Sequence, residues 1–322
     1  MPHKRIPLII VLSLVALCVH TEFPAATFAQ AWVPEKGDGS VSVTYQNLVA
    51  RDHINFTGAR ASNLGTVRAH SMLIDFEYGI TDKLAFNTDL AYIGSNYRGP
   101  LPESPFDNGR FHSAFQDAHF HVRYNVLKNP AVVTPFIGVT IPTHNYGVLG
   151  HSAIGRGFPE LLIGVNAGRQ LGPILPNVYL HGRYSYTILK RFEGMNLNRS
   201  NVDWEVGWLA TGKLTLRFLG AWQKSYGGLN LPVDLHSEAD HEIHDRAARA
   251  DFVRLGGGAT FSVNRSFDID IAYATTVWGR NIHAVGGMAL GFSWRFSRGH
   301  DISKISAKNS PRSIPIAEQA LF

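Results

Sequence analysis

Residues 117–126, with the sequence DAHFHVRYNV, alternate between polar and apolar side chains. Phe120, Val122 and Tyr124 share one side of an extended chain, and the histidines and the arginine between them share the other. A period of two residues is typical of a strand whose faces lie in different surroundings. The stretch therefore predicts a β-strand with one apolar and one polar face.

The same alternation recurs along most of the chain, and it predicts twelve strands. The apolar stripes lie within 41–49, 72–78, 84–92, 120–126, 133–141, 161–165, 178–188, 202–208, 214–222, 253–261, 267–273 and 288–296. Short turns such as 79–83 and 171–177 alternate with long loops such as 143–158 and 226–250. This asymmetry is typical of antiparallel outer-membrane barrels, which have short periplasmic turns and long extracellular loops. We predict an all-β transmembrane barrel of about twelve strands, with ten or fourteen as alternatives.

The positions of the aromatic residues distinguish a membrane barrel from a soluble β-sandwich, whose strands would also alternate between apolar and polar side chains. At the short-turn ends lie Tyr78, Tyr124, Trp208, Trp294 and Phe296, and at the long-loop ends lie Tyr92, Tyr184, Tyr186, Trp204, Trp222 and Tyr226. Amphipathic rings settle at the two membrane interfaces. The division therefore favours a barrel in the outer membrane of a Gram-negative bacterium, in contact with lipid and lipopolysaccharide.

The first 31 residues have the features of a secretory signal peptide. Lys4 and Arg5 precede an apolar run at 6–19, and Ala29-Gln30-Ala31 offers a cleavage site. The run is too short to span a bilayer as a helix. We expect cleavage after Ala31, with Ala29 as the second choice.

The remaining chain divides into a barrel domain, 32–296, and a tail, 297–322, that we expect to be flexible. The only cysteine, Cys18, lies in the signal peptide, so the mature chain has no thiol for a disulfide or for catalysis. The formal charge of +5 is too small to indicate a nucleic-acid partner.

The polar strand faces predict which residues surround the interior. The predicted pore-lining residues are Phe115, Asp117, His119, His121, Arg123, His181, Arg183, Asp203, Glu205, Arg217, Arg254, Asp268 and Asp270. Opposite charges on neighbouring strands either neutralise one another or form a field that orients a polar solute. Aromatic side chains at Phe111, Phe115, Tyr179 and Trp278 either form an apolar path or pack under loops. A register slip of one residue would turn any of these sets outward.

Two histidine-containing groups resemble metal sites in composition. His119 and His121 share a face with Asp117, and a loop contains His236, Asp240, His241, Glu242, His244 and Asp245. A metal site needs three or four ligands in fixed geometry. We interpret the first group as interior lining and the second as a solvated loop, and we expect no metal, cofactor or catalytic site. The glycine-rich segment 147–157 is interpreted as a flexible loop, although His151-Ser152 raises the alternative of a lipid hydrolase.

Three stretches carry a resemblance to a known family: 78–84 (YGITDKL), 116–124 (QDAHFHVRY) and 135–143 (PFIGVTIPT). They resemble the outer-membrane proteins grouped under the name MetA-pathway of phenol degradation, whose strands repeat similar turns and closing K/R-Y pairs. The resemblance implies a barrel channel linked to the uptake of aromatic compounds, and it implies no catalytic residue. The tail beyond Phe296 departs from the family pattern.

These observations predict a channel for passive uptake of small, aromatic or otherwise hydrophobic molecules. A barrel that conducts nothing and serves a structural or surface-interaction role is the main alternative, and an outer-membrane lipid hydrolase is the third. The solute and the oligomeric state stay open.

Overall fold

A computed structural model describes residues 30–100, 102 and 105–297, except for the side chains of Glu238, His241 and Glu242. The predicted signal peptide up to residue 29 and the predicted tail from 298 lie outside the described residues. Among those described, no helix is long and apolar enough to cross a membrane.

Twelve long antiparallel strands form a closed barrel, because the last strand pairs with the first. In chain order they are β1 (Gly39–Ile54), β3 (Thr66–Gly79), β4 (Leu84–Arg98), β5 (His112–Tyr124), β6 (Val132–Pro142), β7 (Glu160–Gln170), β8 (Val178–Leu189), β9 (Arg199–Leu209), β10 (Leu214–Ser225), β11 (Asp251–Ser262), β12 (Phe267–Arg280) and β13 (Ile282–Phe296). A two-residue strand, β2 (Arg60–Ala61), pairs with the end of β1. Helix α1 (Glu238–Ala247) lies in the longest loop, and the Ser237 hydroxyl caps its start by accepting from the Asp240 amide. The predicted twelve-stranded barrel is confirmed.

The two faces of the barrel wall have opposite character. On the outer face, Ile137 and Ile163 are each about half exposed, at 52% and 49%. Thr134 and Asn166, on the same two strands but on the inner face, are completely buried. An apolar outer surface of this kind needs lipid around it, because monomeric soluble proteins rarely expose apolar surface over such an area.

The connections alternate as the sequence predicts, with short turns at one end of the barrel and longer loops at the other, apart from the one-residue link between β12 and β13 at the second end. We call these the short-turn end and the long-loop end. Thr81 closes one short turn by accepting the Leu84 amide on its hydroxyl at 3.0 Å, and Thr211 accepts the Leu214 amide in the same way at 3.0 Å. The Thr-Asp/Gly-Lys-Leu turns therefore act as local hydrogen-bonded caps.

Aromatic rings on the outer face gather at both ends. At the short-turn end, Phe76 stacks between Tyr78 and Phe296, with ring centroids 6.4 and 6.3 Å apart. At the long-loop end, Tyr186 lies 5.9 Å from Tyr226. The two aromatic belts have the placement that membrane interfaces favour.

Two β-bulges change the predicted orientation of particular residues. The register between β4 and β5 shifts between Leu90 and Tyr92, and this shift turns Phe115 to the outer face, where it is 47% exposed and packs against Tyr92. A second shift, in the pairing of β11 with β12, leaves Trp278 outside and 44% exposed. The prediction that Phe115 lines the interior is therefore wrong, because a bulge inserts one residue and reverses the alternation beyond it.

Candidate functional site: the barrel interior

The inner face carries a network of charged side chains. The guanidinium of Arg217 lies between two carboxylates, 3.6 Å from Glu205 and 3.3 Å from Asp270. Tyr179 donates to Glu205, and Thr260 donates to Asp270 at 2.5 Å. Each carboxylate therefore has a cation and a hydroxyl as partners, which is what keeps buried charges tolerable.

A second centre of charge surrounds Arg183. Its guanidinium lies 3.4 Å from the His121 ring nitrogen and 4.6 Å from the centroid of the Phe136 ring. Asp203 lies opposite Arg183 in the β8–β9 pairing. Since His121 belongs to β5, three strands away from β8, these contacts extend across part of the interior rather than along one wall.

Four further ion pairs belong to this network. They are Arg123–Glu77, Arg199–Glu160 at 2.7 Å, Arg295–Asp268 at 3.1 Å and His119–Asp89 at 2.6 Å. Glu77 and Asp89 lie on the polar faces that the alternation indicates. Glu160 and Arg199 are the first residues of β7 and β9, and extending the same period toward the start of each strand would have found them.

The interior thus contains twelve of the thirteen residues that the sequence assigned to it, with Phe115 as the exception. Among the four aromatic candidates, Tyr179 is fully buried inside, whereas Phe111 and Trp278 are almost half exposed.

The segment before β1 enters the barrel at the short-turn end. Arg123 donates to the Gln30 carbonyl at 2.5 Å, and Arg183 donates to the Gln30 side chain at 2.9 Å. The carbonyl of Ala31 accepts from Thr134 at 2.6 Å. These two residues belong to the predicted signal peptide, yet in the folded chain they narrow the interior.

Toward the long-loop end, the inner wall becomes apolar on one side. Buried side chains from β1, β3, β4 and β13 form this wall, namely Ala50, Val67, Ala69, Leu73, Ala91, Ile93 and Val285. Tyr146 and Ile154 from the 143–158 loop pack against it. The sequence did not indicate this wall, because the alternation predicts polar side chains along the whole inner face.

Two long loops fold into the mouth of the barrel. Ser152 is completely buried, and its hydroxyl donates to Asp107 at 2.7 Å. In the 226–250 loop, Arg246 lies 4.2 Å from the Phe158 ring and donates to the Arg156 carbonyl at 2.6 Å. The interpretation of a solvated loop is therefore wrong for His244 and Asp245, whose side chains are only 7% and 8% exposed.

The burial of Ser152 also bears on the hydrolase alternative. A barrel lipase needs its serine accessible to lipid and activated by a histidine. Here the Ser152 hydroxyl is engaged with Asp107, and the His151 ring faces Asp245 at 3.3 Å. The neighbouring pair does not form a nucleophile–base arrangement.

Comparison with solved structures places this fold among bacterial barrels. An outer membrane channel from Pseudomonas putida F1 superposes with a TM-score of 0.64 at 11% identity, over 83% of this chain and 98% of the other. The beta domain of the Bordetella autotransporter BrkA gives 0.46 at 11% identity, over 80% and 99%. The P. putida toluene transporter TodX gives 0.44 at 8% identity, over 86% and 97%. No protein-family model and no curated protein matches the sequence.

The closed twelve-stranded wall, its apolar outer face and its two aromatic belts define an outer-membrane β-barrel. At this level of identity the likeness shows the fold alone. The resemblance to the phenol-degradation family stays a prediction.

Proposed function

We propose that the barrel is a channel for passive entry of small aromatic or otherwise hydrophobic molecules. The observation that carries this proposal is the apolar inner wall near the long-loop end, which includes Val67, Ala69 and Ile93. A purely structural barrel could fill the same positions with ion pairs of the kind found elsewhere on the inner wall. Tyr146 and Ile154 cover this apolar surface, so it offers an uncharged solute a place to leave water once the 143–158 loop moves aside.

Nearer the short-turn end than the apolar wall, the charged network and the N-terminal segment limit which solutes pass. Arg183, His121 and Gln30 approach one another inside the barrel, so the path there is narrow and polar. Cationic guanidinium groups beside an aromatic ring, as at Arg183 and Phe136, also suit a solute with a π-face. The Pseudomonas barrel with the same fold is itself described as an outer membrane channel.

The non-conducting barrel is the second candidate, and the same network favours it. Buried ion pairs such as Arg217–Asp270, which joins β10 to β12 over β11, fix side chains on the inner wall. If they fill it completely, the protein holds its loops at the surface and passes nothing.

Planar-bilayer recording separates the two candidates. We expect small discrete conductance from the wild-type protein, and block by an aromatic carboxylate that exceeds block by an aliphatic carboxylate of equal charge. Replacing both Tyr146 and Ile154 by alanine should uncover the apolar wall and raise the conductance. Ile174→Ala, at an 85% exposed turn position, serves as the control. If the folded wild-type protein and the folded double variant both show no conductance, the non-conducting barrel is favoured.

A further inference from the structure

Five side chains from distant parts of the sequence meet near the long-loop end of the barrel. His53 comes from β1 and His283 from β13, and the two are directly opposite each other in the strand pairing that closes the barrel. His151 comes from the 143–158 loop, and His244 and Asp245 come from α1. We call these five residues the histidine cluster.

The Asp245 carboxylate lies at the centre of the cluster. One oxygen is 3.3 Å from His151 Nδ1, and the other is 3.3 Å from His244 Nε2 and 3.7 Å from His283 Nε2. His53 joins through its ring, whose centroid is 4.3 Å from that of His283 and 5.3 Å from that of His151.

These spacings suit a coordinated ion. The ligand atoms of His53, His151 and His283 lie within 4.8 Å of one another, and so do those of His151, His244 and Asp245. Ligands bound tetrahedrally at about 2.0–2.1 Å stand roughly 3.3 Å apart, a separation that follows from the bond lengths. The two groups share His151.

Burial makes the cluster costly without a cation. The side chains of His151, His244, His283 and Asp245 are 4%, 7%, 7% and 8% exposed. Among the described residues, His283 Nε2 has no hydrogen-bond partner, although it is buried. Four protonated imidazoles in so small a space would repel one another, and neutral ones each present a lone pair.

The types of donor atom also indicate which class of ion would bind. An ionised carboxylate with several imidazoles is the donor set that Zn²⁺ and its neighbours in the first transition row prefer, whereas Ca²⁺ and Mg²⁺ require mainly oxygen.

We propose that the histidine cluster binds a divalent transition-metal ion of the Zn²⁺ class. The ion would tie α1 and the 143–158 loop to β1 and β13, and so hold both loops in the mouth of the barrel. This assignment departs from the sequence-based expectation of no metal site, which considered the loop residues without His53, His151 and His283.

Zn²⁺ titration of the untagged, folded barrel tests the proposal. After treatment with a chelator and its removal, calorimetry in detergent should show one saturable Zn²⁺ site per chain. The variant His244→Ala/Asp245→Asn should weaken binding at least about tenfold, since it removes two ligands. His236→Ala, on an exposed residue of the same loop, should bind like the wild type.

A second variant and a second readout distinguish loss of a metal ligand from loss of the fold. His283→Gln removes one ligand from the barrel wall, and each variant is first checked for heat-modifiable migration on an unboiled gel. Co²⁺ bound in place of Zn²⁺ should give the visible absorption of a tetrahedral site, and His283→Gln should change it. Absence of saturable binding, or equal affinity in the wild type and both ligand variants, would overturn the proposal.

Discussion

The guanidinium of Arg199 donates two parallel hydrogen bonds to the carboxylate of Glu160, at 2.9 and 2.7 Å. The pair joins β9 to β7 across the intervening β8, and both side chains are almost completely buried, at 3% and 4% exposure. Bidentate arginine–carboxylate pairs of this kind are among the strongest ion pairs in proteins. The pair therefore fixes the relative position of three strands from inside the barrel.

Removing one partner of this pair should destabilise the barrel strongly. Arg199→Met leaves the Glu160 carboxylate buried without its cation, which costs about 3–5 kcal/mol for buried pairs. The double variant Arg199→Met/Glu160→Leu should recover most of the loss, since no charge stays unpaired. The stability of each variant is measured as the midpoint temperature at which the folded protein loses its faster migration on gels of unboiled samples. Lys128→Met, at an exposed turn residue, is the control, and equal midpoints in all four proteins would contradict the pairing.

The outward orientation of the apolar stripes is testable with a single charge. Ile137→Arg places a guanidinium on the lipid face of β6, where it should cost about 2–4 kcal/mol near the middle of the bilayer. Ile174→Arg makes the same chemical change at a turn that is 85% exposed, and it should have little effect. Folding yield into lipid vesicles measures the difference. Similar yields for both variants would show that the face is not in lipid.

Local alternation was enough to predict the wall of the barrel. The apolar and polar faces of β5 follow from residues 117–126 alone, because in a strand each side chain is placed by its position. The inner placement of Arg217 and Asp270 follows in the same way. Their mutual contact also requires both side chains to extend over β11, because β10 and β12 each pair with that strand and not with each other.

Features that depend on distant contacts could not be predicted in this way. Phe115 lies beyond a bulge, and nothing in the local pattern shows where an extra residue enters a strand. His151 and Asp245 are separated by more than ninety positions, and only the folding of two loops into one mouth brings them together. Composition detected the His244–Asp245 part of the histidine cluster but could not supply its partners from β1 and β13.

The interior contacts of Gln30 bear on where the signal peptide ends. Cleavage after Ala31, the first choice from the sequence, would remove the carbonyl that Arg123 contacts and the side chain that Arg183 contacts. The buried Arg123 and the half-buried Arg183 would lose acceptors, and such losses are costly. We therefore expect cleavage after Ala29, so that Gln30 begins the mature chain. The intact mass of the protein purified from outer membranes tests this expectation. The mass of a chain that begins at Trp32 would contradict it.

Arg246 joins three loops at the mouth of the barrel. Its guanidinium lies 4.2 Å from the Phe158 ring and 4.7 Å from the Phe192 ring, and its Nε donates to the Arg156 carbonyl at 2.6 Å. A cation between two aromatic rings contributes about 0.5–2 kcal/mol per contact, more where water is excluded. Arg246→Ala should therefore loosen the cover that the 143–158 and 226–250 loops form over the interior.

If the barrel conducts, this loosening should increase its conductance. We expect Arg246→Ala to raise the permeability of liposomes to small solutes severalfold, and Arg246→Lys to give an intermediate value, because lysine keeps the charge but lacks the planar group that stacks on the rings. Arg191→Ala, at an exposed position, is the matched control. Permeability equal to that of the wild type in folded Arg246→Ala protein would show that the narrowest part lies deeper, at Arg183 and the N-terminal segment, and that the loops do not limit passage.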